Sequence, residues 1–382
     1  MNFSDLGLSA SILKAIEGQG YNQPFPIQQQ AIPAILAGKD LLGIAQTGSG
    51  KTAGFALPIL QQFQQKQPGK NRFIKALVLV PTRELALQVA DVFKGFSLHL
   101  TRRVKTLAVY GGVSINPQMM ALSGTEILVA TPGRLLDLID NKALHLSELE
   151  VLVLDEADKM LNMGFEEEMN RIIALLPQKR QNLLFSATLA RDVEVVKERL
   201  LSSPVVISVE EEKEENQLEL IKQVAYRIST ERKGPFLRYL IKQGNMQQVL
   251  VFVSSIRGAD NLVAKLNKNG LQAMAMHGDK SQGARTEALQ RFKSGKLQVL
   301  VATDLASRGI DIKTLPVVVN YDLPRSPKDY VHRIGRTGRA GATGEAISLI
   351  TKEDGHHFKI IQKKMGRKVD MLDTEEIDLK GY

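Results

Sequence analysis

Leu41 to Thr52 reads LLGIAQTGSGKT, and the residues after it fall into a helical pattern from Ala53. A short apolar run, a glycine-rich turn and a helix make a strand–loop–helix unit whose loop lies at a helix N-terminus. Gly48 and Gly50 let the backbone curl so that its N–H groups surround phosphate oxygens. Lys51 is placed to reach the outer phosphates of a nucleotide, and the Thr52 hydroxyl to ligate Mg²⁺. The strict phosphate-loop pattern departs at one position, because Ala45 stands where the first glycine is usual.

Working outward, short apolar runs alternate with helical patterns along the whole chain. The spacing predicts strands at Ala76–Val80, Glu126–Ala130, Val151–Leu154 and Asn182–Phe185, then at Val249–Val253, Val299–Ala302 and Val317–Asn320. Most lack strict alternation, as strands covered on both faces do. Amphipathic stretches such as Glu84–Phe96 and Gly283–Lys293 lie between them. Strand, helix, strand in that order predicts an α/β fold with parallel sheets flanked by helices. The pattern breaks at EEEKEEN, Glu210–Asn216, where like charge without apolar anchors is expected to form a short flexible linker. The expected division is therefore a domain over 1–208, a linker over 209–217 and a second domain over 218–382.

With 382 residues the chain is long enough for two cores, and 43% hydrophobic with 24% charged residues is a globular balance. The first twenty residues carry no basic segment followed by a long apolar core, which argues against a secretory signal, and no apolar run approaches the roughly 20 residues of a bilayer span. No cysteine is present, so neither disulfides nor thiolate metal sites arise, and a cytoplasmic home fits. The net charge of +9 points toward polyphosphate partners without deciding on one.

The second chemical element is VLVLDEAD, Val151–Asp158. An apolar strand ending in acids sets carboxylates at the C-terminal end of a sheet, beside the phosphate loop. Asp155 is placed to hold Mg²⁺ through its water shell, and Glu156 to orient and deprotonate an attacking water. A solvated acidic turn would read the same by itself; the company of AQTGSGKT argues for catalysis.

Eight segments then occur in order: GYNQPFPIQ (Gly20–Gln28), AQTGSGKT (Ala45–Thr52), PTRELALQ (Pro81–Gln88), TPGR (Thr131–Arg134), DEAD (Asp155–Asp158), SAT (Ser186–Thr188), ATDLASRGID (Ala302–Asp311) and HRIGRTGR (His332–Arg339). Together they span essentially the whole chain, and the set resembles the motif series of DEAD-box RNA helicases. The resemblance implies two tandem RecA-like domains, ATP with Mg²⁺ as cofactor, and RNA as partner. The wording is most similar to the bacterial RhlE-type subgroup, which implies ribosome assembly or RNA turnover, with ribosomal or RNA-decay proteins as partners. A monomer is expected.

By that resemblance, the adenine edge is read by Gln28, whose amide offers the donor and acceptor required, and the ring is stacked by Tyr21. Phe25 stands where most members have Thr. The phosphates are cradled by Gln46, Thr47, Gly48, Ser49, Gly50, Lys51 and Thr52, and Asp311 contacts the ribose. Lys51, Glu156 and the arginine fingers Arg336 and Arg339 form the catalytic set, the fingers stabilising charge on the γ-phosphate. Asp158, Ser186, Thr188 and His332 couple hydrolysis to strand separation.

The RNA contacts implied are Pro81, Thr82, Arg83, Gly111, Gly112, Thr131, Pro132, Gly133 and Arg134 in the first half. In the second half they are Arg257, His277, Gly278, Gln282, Arg285 and Thr303. Small residues, hydroxyls and arginines suit phosphate and sugar oxygens better than base edges. Only 5% of residues are aromatic and tryptophan is absent, so a base-stacking platform is poorly supported and sequence-independent binding is expected. Two other readings stay open: a DNA-directed translocase with similar ATP machinery, and an ATP-gated clamp that holds RNA without hydrolysis.

Overall fold

The computed structural model describes residues 1–46, 48–66, 71–209, 221–304, 315–338 and 344–382. The chain divides into two compact units, Met1–Glu211 and Glu212–Tyr382. Of the stretch expected to be a linker, 210–217 lies outside the described residues.

In the first unit seven strands form one sheet: β1 (Leu41–Ile44), β2 (Ala76–Leu79), β3 (Thr106–Val109), β4 (Ile127–Ala130), β5 (Val151–Leu154), β6 (Gln181–Ser186) and β7 (Val205–Ser208). Their order is β3-β4-β2-β5-β6-β1-β7, and every pairing is parallel. The central strands lack alternation because both faces are buried. Val78, Val129 and Val153 pack into a core on one face, while Leu77, Leu128 and Leu152 fill the core on the other. A strand between two helical layers has no solvent side to mark in sequence.

The second unit holds β8 (Ile221–Arg227), β9 (Val249–Phe252), β10 (Ala273–Met276), β11 (Val299–Ala302), β12 (Val317–Asn320), β13 (Gly344–Ile350) and β14 (Asp370–Asp373). Their order, β10-β11-β9-β12-β13-β8-β14, repeats that of the first unit strand for strand, again all parallel. In both sheets all C-terminal strand ends therefore meet at one rim, where parallel α/β sheets hold their ligands.

Each expected strand is present with ends within one residue. The helices around Glu84–Phe96 and Gly283–Lys293 run over Arg83–Ser97 and Gln282–Lys293. The helix after the glycine turn starts at Lys51, ahead of the expected Ala53. The strands missed by pattern, β3, β7, β8, β10, β13 and β14, include the outermost strands of both sheets, which are half-covered or lack a β-branched run.

Candidate functional site

The C-terminal rim of the first sheet carries two groups of loops, and strand order separates them. Strands β5, β6 and β1 lead into DEAD, SAT and the glycine-rich loop. Strands β3, β4 and β2 lead into Gly111–Gly112, Thr131–Arg134 and Pro81–Arg83.

In the first group, Gly48 and Gly50 adopt φ values of 92° and 86°, a left-handed conformation that glycine enters without steric cost. Gly50 is the N-cap of the helix Lys51–Gln64. A Cβ at Gly50 would stand 2.5 Å from Gln28 Nε2, so this position also needs the space. Ser49 Oγ donates to Gln46 O at 2.8 Å, closing the turn. Lys51 is buried, and its Nζ donates to Ala45 O at 2.5 Å.

Asp155 and Glu156 are both buried. The expectation set these carboxylates beside the phosphate loop, and although β6 lies between β5 and β1, Asp155 stands close enough to feel the Lys51 ammonium. The loops meet above β6 all the same. Burial pushes the Asp155 carboxyl up to about 6, with the Lys51 ammonium pulling it down and Glu156 adding to the rise. Its Oδ1 is buried without a hydrogen-bond partner, and so is Glu156 Oε2. Two unmet carboxylate oxygens fit a hydrated cation and a water, since buried acceptors left bare are costly. Among the described residues no three acidic or histidine side chains cluster, so an ion at Asp155 would take its other ligands from water and phosphate, as Mg²⁺ does. Thr52, the other expected ligand, is part-exposed one residue into the helix.

Glu156 also has φ 55° and ψ 47°, a left-handed conformation uncommon for a side-chain-bearing residue and worth of order 1 kcal/mol of strain. Lys159 Nζ donates to its Oε1 at 2.8 Å, a partner the motif reading missed. Thr188 Oγ1 donates to Asp158 Oδ2 at 3.2 Å, and Ser186 Oγ donates to Thr188 O at 2.8 Å. The SAT segment is thus bonded directly to the acidic segment.

Gln28 is fully buried at the loop. Its Nε2 donates to Gly50 O at 2.9 Å and its Oε1 accepts from Phe25 N at 2.9 Å. Each leaves further capacity, one N–H and one lone pair, so adenine recognition and loop contact are compatible. Tyr21 packs its half-buried ring on Phe96, with centroids 5.4 Å apart.

In the second group, Thr82 Oγ1 caps the helix Arg83–Ser97 by accepting from Leu85 N at 3.3 Å. Gly112 has φ 76°, and a Cβ there would meet the Arg83 guanidinium at 2.2 Å, so Arg83 lies directly on the glycine backbone. Thr131 precedes Pro132 at the start of the helix Pro132–Asp140, and Gly133 faces open space. Arg134 Nη2 donates to Val113 O at 2.7 Å, tying this helix to the glycine pair; its Nη1 is buried without a hydrogen-bond partner. Arg83 and Arg134 thus tie the Pro81–Arg83 and Thr131–Arg134 segments to the Gly111–Val113 turn. Arg83, Gly111, Gly112 and Gly133 are open or part-open to solvent, while Pro81, Thr82, Thr131, Pro132 and Arg134 are buried.

At the rim of the second sheet, Ser255 caps the helix Ile256–Lys268 and leaves Arg257 exposed. His277 is buried with Nε2 3.1 Å from Asp260 Oδ1, and Lys280 Nζ lies 2.8 Å from the same oxygen. Lys280 first, then His277, hold the Asp260 carboxyl below its usual range. Gly278 faces open space, and Gln282 and Arg285 are buried on the helix Gln282–Lys293. Thr303 N donates to Met276 O at 3.3 Å. His332 is exposed in the last turn of the helix Pro327–Ile334, and Arg336 is buried just beyond it.

The first arginine of HRIGRTGR, Arg333, was not singled out by sequence. It bonds Asp304 through two nitrogens, at 2.6 and 2.8 Å, and donates to Asn320 Oδ1 and Asp322 O. Its guanidinium carbon also lies 4.9 Å from the centre of the Phe252 ring. It anchors the arginine-rich segment. Thr47, Asp311 and Arg339 lie outside the described residues.

Comparison with known proteins places this geometry. Residues 25–196 match the family model described as DEAD/DEAH box helicase, and residues 232–341 match that of the helicase conserved C-terminal domain. The DEAD-box ATP-dependent RNA helicase CshA of Bacillus cereus is 41% identical over 377 residues, covering 98% of this chain and 70% of that protein. Saccharomyces cerevisiae Dbp5, in a structure bound to RNA and ADP BeF3, is 31% identical with a TM-score of 0.84, over 100% of this chain and 97% of that one. A DEAD box protein from Methanococcus jannaschii is 38% identical with a TM-score of 0.54, over 97% and 99%.

Proposed function

The chain belongs to the DEAD-box helicases and has the family's two RecA-like units, and on that premise we propose that it is an ATP-dependent RNA helicase that remodels short duplexes or RNA–protein complexes. The observation that carries the reading is the first rim. Beside the nucleotide loop and its unmet acidic oxygens, the adjacent strands carry Arg83 and the open glycines Gly111, Gly112 and Gly133.

In this reading ATP lies on Gln46–Thr52, with Gln28 and Tyr21 at the adenine. Mg²⁺, held by Thr52, Asp155 and the phosphates, would offset charge on the transferring phosphoryl group. Glu156 orients and deprotonates the water. Its strained backbone and the Lys159 contact fix where its carboxylate points. Arg336 and Arg339 act on the γ-phosphate and Asp311 on the ribose when the two units close around ATP and RNA. The bonds among Thr188, Asp158 and Ser186 support a coupling role for these three, and His332 takes its coupling role from the resemblance alone.

The RNA is gripped through backbone oxygens, without sequence preference, by the glycine-pair surface and by Arg257, His277, Gly278, Gln282, Arg285 and Thr303. Preference over DNA would come from 2′-hydroxyl contacts. Ribosome assembly or RNA turnover in the cytoplasm, ribosomal or decay proteins as partners, a monomeric state, a domain division at 208 and 218, and membership of the RhlE-type subgroup complete the proposal. The subgroup rests on motif wording and stands beside relatives named CshA. Among the described residues no helix is long and apolar enough to cross a membrane.

Strand displacement tests the reading. A short labelled RNA duplex should be separated with ATP and Mg²⁺ and left intact with ATP and a chelator. Separation independent of ATP would refute it, and turnover without separation would move the assignment to an ATP-gated clamp.

A further inference from the structure

The strand β3 is the outermost of its sheet, paired on one side only, with β4. At its end Val109 O accepts from Thr131 N at 3.1 Å, so the backbone of Val109 faces inward. Successive residues of a strand point their backbone groups to opposite sides. Tyr110 therefore directs its N–H and C=O outward, where no strand of the described residues follows. Both are met by one side chain. Gln118 Oε1 accepts from Tyr110 N at 3.0 Å, and Gln118 Nε2 donates to Tyr110 O at 3.1 Å. The amide reproduces the two-point pairing of a neighbouring strand.

The next two residues are Gly111 and Gly112. The far side of that turn is held by Arg134, which binds Val113 O, and its upper surface by Arg83 against Gly112. The near side is held by Gln118. Its helix, Ile115–Ala121, is itself anchored, since Ile115 and Met119, one turn apart, pack against the core. Gln118 is part-buried between them, while Met120 points outward.

We propose that Gln118 is a positioning residue for the Gly111–Gly112 turn and, through it, for the RNA strand that the turn contacts. The inference rests on the RNA reading above. Gln118 need not touch RNA: it sets where the Gly111 and Gly112 N–H groups and Arg83 present themselves. An unheld turn at the end of an outer strand would sample several conformations, and RNA would have to select one.

The test uses the full chain. Gln118→Ala removes the amide, Gln118→Met keeps the bulk, and Gln118→Glu keeps an acceptor but sets a carboxylate oxygen against Tyr110 O. Steady-state ATPase is titrated with single-stranded RNA at saturating ATP, and thermal melting is followed in parallel. The half-saturating RNA concentration should rise roughly tenfold in all three, the scale of two neutral hydrogen bonds exchanged for water. The plateau rate, the KM for ATP and the melting temperature should hold. Combined with Arg83→Ala, the effect should be less than multiplicative, because both act on one turn. Unchanged half-saturation in a normally melting variant would overturn the proposal. So would a parallel decline of melting temperature, plateau and ATP KM, which marks a general packing residue. If wild type itself ignores RNA, the RNA reading fails, and the role of Gln118 with it.

Discussion

Lys51 and Lys233 occupy the same place in their units, each opening the helix that follows the sixth strand in the sheet order. Their surroundings differ. Between β1 and Lys51 runs a loop with two left-handed glycines, and the ammonium reaches back to Ala45 O while Asp155 keeps a bare oxygen. Between β8 and Lys233 the chain has no glycine and closes into a tight turn at Thr230–Arg232. Lys233 Nζ then donates to Tyr321 O at 2.8 Å and pairs with Asp322 at 3.5 Å and Asp354 at 3.8 Å. One lysine is kept in reserve and the other is spent on its own fold.

The other half of the rim is repeated in kind. Thr82 and Ser255 cap the helices after β2 and β9, each just ahead of an arginine, Arg83 or Arg257. Thr131 N bonds Val109 O as Thr303 N bonds Met276 O. Gly111, two residues past the end of β3, has Gly278 as its counterpart two residues past the end of β10, and Tyr110 has His277. On the proposed reading, the scaffold carries the backbone-gripping half twice and the nucleotide half once. On that reading, the glycines of the loop after β1 are what fit the first sheet to hold phosphate.

The comparison breaks most sharply at the two lysines. Lys51→Ala should lower RNA-stimulated turnover on the order of a thousandfold, the loss seen when a charge-stabilising donor is removed. Its melting temperature should stay near wild type. Glu156→Gln should lower kcat about a hundredfold and preserve ATP binding, as stopped-flow nucleotide binding beside steady-state ATPase would reveal. Normal turnover in that variant would assign water activation to another group.

Lys233→Met should show the converse of Lys51→Ala. Denaturant unfolding should find the second unit weakened by about 2 kcal/mol, since a buried charge network loses its centre. Full stability together with lost turnover would put Lys233 in the chemistry. Gly112→Ala should raise half-saturating RNA roughly tenfold, from a left-handed alanine and a displaced Arg83, with ATP affinity unchanged. A matching loss at Gly278→Ala is not expected, because a Cβ there meets nothing within 4 Å.

Much of this was legible in the sequence because phosphate loops and acid-ended strands combine composition with context. AQTGSGKT and DEAD mark their loops, and doubly buried strands show as apolar runs. Less legible were contacts made across strand order. The interposition of β6 between β1 and β5 follows from crossover connections that no local pattern records. Gln118 and Tyr110 meet because an outer strand lacks a neighbour, and no periodicity encodes that vacancy. Arg333 looked equivalent to Arg336 by spacing alone, yet burial against Asp304, Asn320 and Phe252 gives it a structural task. Gln28 is assigned to the adenine only by the resemblance, since three glutamines in a row would by themselves mark a polar helix surface; its bond to Gly50 O sets it against the phosphate loop.

The most direct test of one rim serving both nucleotide and RNA is steady-state ATPase measured with no nucleic acid, with single-stranded RNA and with matched DNA, with Lys51→Ala as control. Strong stimulation by RNA but not by DNA, abolished in the control, is the predicted result. Equal stimulation by DNA, or RNA binding that leaves turnover unchanged, would contradict the account.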